Sequence, residues 1–230
     1  ELVFKNGKRA PITNHIFGAD GAGSSIRNYI DMKVPSPSYT EPLGHDYKEL
    51  HIDPDENGDF QLDPNALHIW PREKFMLIAL PNMDKSFTCT LFLPVDGEIS
   101  FNAFSSPKLV IDFFSEHFGD VLPILENFPN TFFNNPTGKL ATIYADEWQY
   151  NNQYCLIGDA AHTVVPFFGQ GMNASFEDCE IFMQCLDEAS GNWDEVFIKY
   201  NSFRKDDGHA IAKMAIENYV EMRDLVTQKE

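Results

Sequence analysis

The sequence predicts an α/β (α+β) fold, a strand–loop–helix domain interrupted by an antiparallel-sheet domain. Three observations carry this. Residues 15–18 read as a strand that runs into Asp20, Gly21 and Gly23 and then a helix. Residues 154–157 repeat that grammar, ending at Gly158-Asp159 ahead of Gly169, Gly171 and a second helix. Between them, short apolar runs recur at hairpin spacing, the mark of an antiparallel, curved sheet. The outer segments are expected to pair in space, with boundaries at 1–35, 36–145 and 146–230.

The elements follow in order. Residues 1–9 read as two short strands around Asn6-Gly7, a dipeptide that accepts the positive φ of a tight hairpin turn. Residues 24–30 read as a short helix, because the hydroxyl of Ser24 or Ser25 can accept a free backbone N–H at its start. Residues 47–53 alternate, and Asn57-Gly58 signals a turn into 59–62. Strands are expected at 67–70 and 75–80, separated by a break at 71–74, and at 87–93. Residues 107–128 read as helical, with Leu109, Phe113, Phe114 and Phe118 at helical spacing. Strands are expected again at 142–148 and 154–157. A long helix runs from Met172 to about Leu186, with Met172, Phe176, Cys179, Met183 and Leu186 on one stripe. Further helix fills 194–204 and 208–226.

Bulk properties narrow the function. The 230 residues are 43% hydrophobic, enough for a real core. The net charge of −18 repels phosphate backbones and anionic lipid, which argues against nucleic-acid or membrane-surface partners. Cys89, Cys155, Cys179 and Cys185 form no Cys-x-x-Cys pair and sit in apolar runs, so they read as buried thiols in a reducing compartment. No metal site is expected. The acidic run 53–59 opens like a calcium loop, but its twelfth position is Pro64 rather than Glu, and it reads as a hairpin turn. No apolar run spans a membrane and no signal peptide is seen. There is no initiator Met, and the sequence reads as the middle of a longer protein.

Two corners carry the chemistry. A carboxylate at Asp159, just beyond a buried strand, can accept two hydroxyl hydrogen bonds, as a sugar or ribityl chain offers. Gly158 lets another group approach the backbone. Taken alone, this Asp also suits a turn or helix cap. Gly169 and Gly171 then precede a helix whose unpaired N–H groups favour an electron-rich or anionic group. With the Gly18–Gly23 loop added, two such corners flanking an inserted sheet point to a bound cofactor. His162 reads as lying beneath the loop rather than as a base, and no serine sits in a nucleophile elbow.

The run Gly-Ala-Asp-Gly-Ala-Gly-Ser-Ser-Ile-Arg at 18–27 resembles the second fingerprint of the class A flavoprotein aromatic hydroxylases. Gly-Asp-Ala-Ala-His at 158–162, followed by Pro-Phe-Phe-Gly-Gln-Gly-Met-Asn at 166–173, resembles the third. Within that class, residues 67–72, 75–82, 87–92, 165–173, 176–179 and 218–223 resemble the kynurenine monooxygenases. The resemblance runs through nearly the whole chain. It implies a Rossmann-like FAD-binding domain interrupted by a substrate domain, and NADPH- and O2-dependent hydroxylation of L-kynurenine to 3-hydroxykynurenine. It implies that Asp159 holds a ribityl hydroxyl and that Asp20 and Gly21 contact FAD or NADPH. It also implies that Gly169, Gln170, Gly171, Met172 and Asn173 lie against the flavin ring.

On the substrate side it implies a pocket of Leu67, Met76, Ile78, Leu80 and Phe92, closed by Pro166, Phe167 and Phe168, with Asn218 on the amino-acid end. Met76, Ile78 and Leu80 share one strand face by alternation. No side chain is assigned acid–base work. The family's Gly-x-Gly-x-x-Gly opening and C-terminal helical region have no counterpart here, so the resemblance implies a piece unable to hold FAD tightly or turn over alone. The location implied is cytoplasmic, or the outer mitochondrial membrane for a eukaryotic source. Two alternatives stay open: another hydroxylase of the class, such as one acting on a hydroxybenzoate, and a non-catalytic folded module.

Overall fold

The computed structural model describes residues 1–12 and 14–224. The strands are β1 (Leu2–Val3), β2 (Arg9–Ala10), β3 (Ile16–Gly18), β4 (Tyr39–Ile52), β5 (His68–Arg72), β6 (Phe75–Pro81), β7 (Phe87–Pro94), β8 (Thr137–Tyr144), β9 (Gln149–Tyr150) and β10 (Tyr154–Leu156). The α-helices are α1 (Ser25–Asp31), α2 (Pro107–His117), α3 (Asn130–Asn134), α4 (Gly171–Glu188) and α5 (Trp193–Asp224). The chain forms two compact units. The first joins Glu1–Glu41 to Ala141–Asn218, and the second joins Pro42–Leu140 to the described residues from Tyr219 onward.

In the first unit, two segments far apart in the sequence meet in one sheet. β3 and β10 pair in parallel, with Tyr154 opposite Ile16 and Leu156 opposite Gly18, and β9 lies antiparallel along the far edge of β10. Parallel pairing buries both faces of a strand, and every residue of β10 is buried. Ser24 caps α1, its Oγ accepting from the Arg27 amide at 2.9 Å. A core of Ile30, Trp148, Leu156, Phe182, Phe197 and Tyr200 packs around this sheet.

The second unit is built on a five-stranded sheet in the order β5-β6-β7-β4-β8. One face (Leu50, Ile52, Phe75, Leu77, Ala79, Phe87, Cys89, Leu91 and Leu93) packs on Val110, Phe113 and Phe114 of α2 and on Phe118 and Phe132. Alternation sends Met76, Ile78 and Leu80 to the other face, where register sets Met76 opposite Phe92 and Ile78 opposite Thr90. The expected break at 71–74 falls later, because β5 continues through Pro71 and Arg72 and turns at Glu73 (φ 58°). Residues 59–62 form no strand. Asp55 folds that segment back on itself, accepting from the Asn57 and Asp59 amides at 2.9 and 2.7 Å.

Several other expectations are corrected by packing. The helix expected over 107–128 stops at His117, where Phe118 leaves helical geometry (φ −138°, ψ 39°) ahead of Gly119. Its buried stripe is Val110, Phe113 and Phe114, while Leu109 is 44% exposed. The strand expected at 142–148 sits earlier, as β8, and Trp148 lies outside it, fully buried. The two helices expected at 194–204 and 208–226 are one continuous α5. Gly208 is kept there by contact: a Cβ would lie 2.9 Å from the Trp148 ring and 3.3 Å from His162 Cβ.

The stripe read on α4 is not its buried face. Met172, Phe176, Met183 and Cys179 are exposed, and the helix buries Ala174, Asp178, Phe182 and Cys185 instead. Cys179 is therefore no core thiol. The three buried cysteines are free, and burial pushes the Cys89 thiol up to about 12 and also raises the Cys155 thiol. None of the helices among the described residues is long and apolar enough to cross a membrane.

Candidate functional site

The two glycine-bearing corners converge in the first unit. The loop after β3 and the turn after β10 are tied together by Arg27, which is 6% exposed and donates to the Ala160 carbonyl at 2.9 Å and to the Ala22 carbonyl. Burial lowers the Arg27 pKa, opposed by Asp31 and Asp20. Above this clamp opens a cavity of about 690 Å³. Gly21 lines it from one corner, Gly158 and Asp159 from the other, and Pro166, Gly169, Gly171 and Met172 from the start of α4.

Gly158 sits in left-handed geometry (φ 63°), which turns the chain sharply as it leaves β10 into a 3-10 turn of Gly158–Ala160. Asp159 comes out exposed, and among the described residues its carboxylate meets no partner. Only its carbonyl is used, accepting from Thr163 Oγ1 at 2.6 Å. A second 3-10 turn, Pro166–Phe168, is closed by Gly169 in left-handed geometry (φ 65°). α4 then begins at Gly171 with no side chain capping it. Among the described residues its first N–H groups meet no acceptor, and the aligned peptide dipoles give that end a partial positive charge. A free carboxylate and an uncapped helix start in one cleft can hold a ligand with hydroxyls at one point and electron-rich atoms at another.

Three expected cofactor residues lie apart from this cavity. The Asp20 carboxylate accepts from the Ser25 amide at 2.8 Å, at the start of α1. Partial burial opposes its charge, but hydrogen bonds from Ser24 and Ser25 hold its pKa below the usual value. Gln170 and Asn173 bond to each other at 2.9 Å and line a separate groove of about 710 Å³, along with Glu177, Glu180 and Asp207.

The expected substrate residues fall in both units. In the second, Met76 and Phe92 are buried, Ile78 is half-buried, and Leu67 and Leu80 are 49% and 46% exposed. Register adds Ile69, opposite Ile78, and Tyr47, opposite Phe92, to the same face; sequence reasoning passed over both. In the first unit, Phe167 is buried, Phe168 is 37% exposed, and Asn218 Nδ2 donates to the Phe167 carbonyl at 2.5 Å.

Sequence reasoning also missed Asp178. It is fully buried and accepts from the Gly158 amide at 2.8 Å, from His162 Nε2 at 2.6 Å and from Arg204 Nε at 2.9 Å. His162, 2% exposed and stacked on Trp148, therefore lies beneath the corner as expected. A signal was present in outline: an Asp at helical spacing between Ala174 and Phe182 lies on the real buried stripe.

A family model described as FAD binding domain matches residues 5–192. The chain belongs to the FAD binding domain family. This FAD binding domain protein is 46% identical to the kynurenine 3-monooxygenase of Myxococcus xanthus over 209 residues, 91% of this chain and 45% of that protein. It is 42% identical to the kynurenine 3-monooxygenase of Sus scrofa over 217 residues, 93% of this chain and 45% of that protein. The chain thus spans about half the length of the curated relatives it matches.

Among solved structures, Klebsiella pneumoniae HpxO, complexed with FAD and uric acid, superposes with a TM-score of 0.73 at 16% identity, covering 96% of this chain and 54% of that one. The 2-methyl-3-hydroxypyridine-5-carboxylic acid oxygenase gives 0.73 at 18% identity, covering 96% and 57%. At these identities the likeness shows the shared fold.

Proposed function

We propose that the protein carrying this chain hydroxylates L-kynurenine to 3-hydroxykynurenine, using FAD, NADPH and O2. The observation that carries the reading is the single cleft that gathers Gly21, Gly158, the unpartnered Asp159 and the uncapped start of α4. Identity of 42–46% to kynurenine 3-monooxygenases supports the substrate. FAD, when bound, would supply the redox chemistry, with NADPH as reductant and O2 as oxygen source.

The protein's own task is positioning and exclusion of water. Asp159 would accept ribityl hydroxyls. The backbone N–H groups at the start of α4 would face the flavin ring and favour negative charge there. Asp20, with its lowered pKa, would stay anionic and orient the loop that carries Gly21 toward the cofactors. Gln170 and Asn173 would shape the turn into α4.

For the substrate, Leu67, Met76, Ile78, Leu80 and Phe92 of the second unit would offer a dry face to the aromatic ring, and Pro166, Phe167 and Phe168 are the substrate-contact candidates of the first unit. Asn218 would meet the amino-acid end. No side chain need transfer a proton. The reducing compartment suggested by free cysteines would be the cytoplasm, or the outer mitochondrial membrane in a eukaryotic source.

The test uses a protein carrying this chain at the length of its relatives. L-Kynurenine should accelerate NADPH oxidation and yield 3-hydroxykynurenine by mass spectrometry. Hydroxylation of a hydroxybenzoate instead, or a colourless protein that gains no stability from FAD, would overturn the reading.

A further inference from the structure

We propose that Asp178 is the positioning residue of the cleft: from inside the core it fixes the Gly158 amide, and so the angle at which Asp159 enters the cavity. The ligand named here rests on the flavin reading above; the corner geometry does not.

Asp178 is an ionisable group with no exposed surface, held on the inner face of an α4 whose outer face borders the cleft. A buried carboxylate is kept only when its lone pairs are filled. Here Oδ2 takes both the Gly158 N–H and the His162 Nε2–H, and Oδ1 takes Arg204 Nε. With Nε2 facing Asp178, His162 Nδ1 is buried and meets no hydrogen-bond partner among the described residues.

Arg204 supplies the compensating charge. It is 2% exposed and also meets Glu177 at 2.8 Å, Asp207 at 3.3 Å and the Ala174 carbonyl at 3.3 Å. Burial works against its charge, but the hydrogen bond and charge of Asp178, aided by Glu177, raise its pKa. Arg204 thus locks Asp178 from α5, and Asp178 locks the corner.

The corner's other anchors hold its carbonyls: Gly158 O accepts from the Ala161 and His162 amides at 2.7 and 3.0 Å, Asp159 O from Thr163 and Ala160 O from Arg27, so none of them fixes the Gly158 amide. The Ile157 amide reaches the Gly18 carbonyl at 3.0 Å, which ends the strand pairing. The next amide, Gly158, has no backbone partner and turns into left-handed geometry. Its bond to Asp178 is what sets the next side chain, Asp159, on the cavity side. Asp178 acts through Gly158 and touches no ligand.

The experiment uses a protein carrying this chain at the length of its relatives and compares wild type with Asp178→Asn, which keeps volume and loses charge, and Arg204→Lys, which keeps charge and loses the fork. A Cys185→Ala variant, which opens a cavity in the same core, controls for general loosening. Amide hydrogen exchange reads Gly158 against Leu156, and FAD titration reads the cleft.

A hydrogen bond to a charged acceptor is strong enough that Gly158 exchange should rise about 10-fold in Asp178→Asn, with Leu156 unchanged and FAD binding weakened about 10-fold. Cys185→Ala should move both amides together. If Asp178→Asn does not fold, Arg204→Lys should show the same Gly158-specific rise, smaller in size. Gly158 exchange that follows Leu156 in the folded variants overturns the proposal, as does unchanged FAD affinity once Gly158 has opened. A wild-type chain that binds no FAD sinks the flavin reading alone, since the exchange comparison still decides whether Asp178 sets the corner.

Discussion

Replacing Gly158 with alanine tests the geometry on which the cleft depends. At φ 63° an L side chain is strained, at a cost of about 1–2 kcal/mol. The added Cβ would also lie 3.0 Å from Ser175 Oγ and 3.3 Å from Ser175 Cβ. Ser175 can yield only by giving up its 2.8 Å bond to the Gly171 carbonyl, worth about 1 kcal/mol. The stiffer unfolded chain returns about 0.4–1 kcal/mol. The net loss should be about 2 kcal/mol, read by urea unfolding followed through Trp148 and Trp193 of the first unit. Gly21 provides the contrast. It is also left-handed (φ 78°) but a Cβ there meets nothing within 4 Å, so Gly21→Ala should show the strain alone, less than Gly158→Ala. Equal losses for the two, or a Gly158→Ala protein as stable as wild type, would refute the reasoning.

Gly208→Ala gains about 1 kcal/mol of helix propensity but presses on the buried Trp148 ring, at about 1–3 kcal/mol for overpacking; the melting temperature should fall, and a rise would show that Gly208 is not held by contact. Leu91→Ala, at a fully buried site, should cost about 2–5 kcal/mol, whereas Leu109→Ala should stay within about 0.5 kcal/mol in the same denaturation assay. In a protein carrying this chain at the length of its relatives, Asp159→Ala should weaken FAD binding about 10- to 100-fold by fluorescence titration, the loss of charged hydrogen bonds to hydroxyls; unchanged affinity would remove it from the site. Asp20 has its pKa lowered from 3.8 in the folded state, so its contribution to stability is complete above that value and is lost as pH falls below it. Asp20→Asn should therefore flatten the acid limb below about pH 3.8 in unfolding scans, and an unaltered limb would contradict a stabilising role for the Asp20 hydrogen bonds to Ser24 and Ser25.

Local signals were legible where the physics is local. The Ser24 cap, the turns at Asn6-Gly7 and Asn57-Gly58, and the alternating strands β6 and β7 each follow from neighbouring residues, and each formed where expected. The two strand–glycine–helix corners were readable for the same reason, and their outer segments do pair in parallel. What failed were choices among partners. α4 carries two candidate stripes, and the more apolar one, Met172, Phe176 and Met183, lies outward, because the inner one holds Asp178 with three donors waiting for it. A hydrophobicity pattern cannot see those donors, since they arrive from the turn after β10 and from α5.

The sequence by itself determined local features: the Ser24 cap, the turns at Asn6-Gly7 and Asn57-Gly58, strands β6 and β7, and the existence of two acidic, glycine-bearing corners. Only the tertiary structure decided which face of α4 is buried, that α5 runs unbroken past Gly208, and that Gly21 and Asp159 share one cleft while Gln170 and Asn173 face another. The reason is that propensity and capping act over a turn or two of chain. Burial of a charge or a close backbone approach depends instead on atoms far apart in sequence, and these exist as neighbours only after folding.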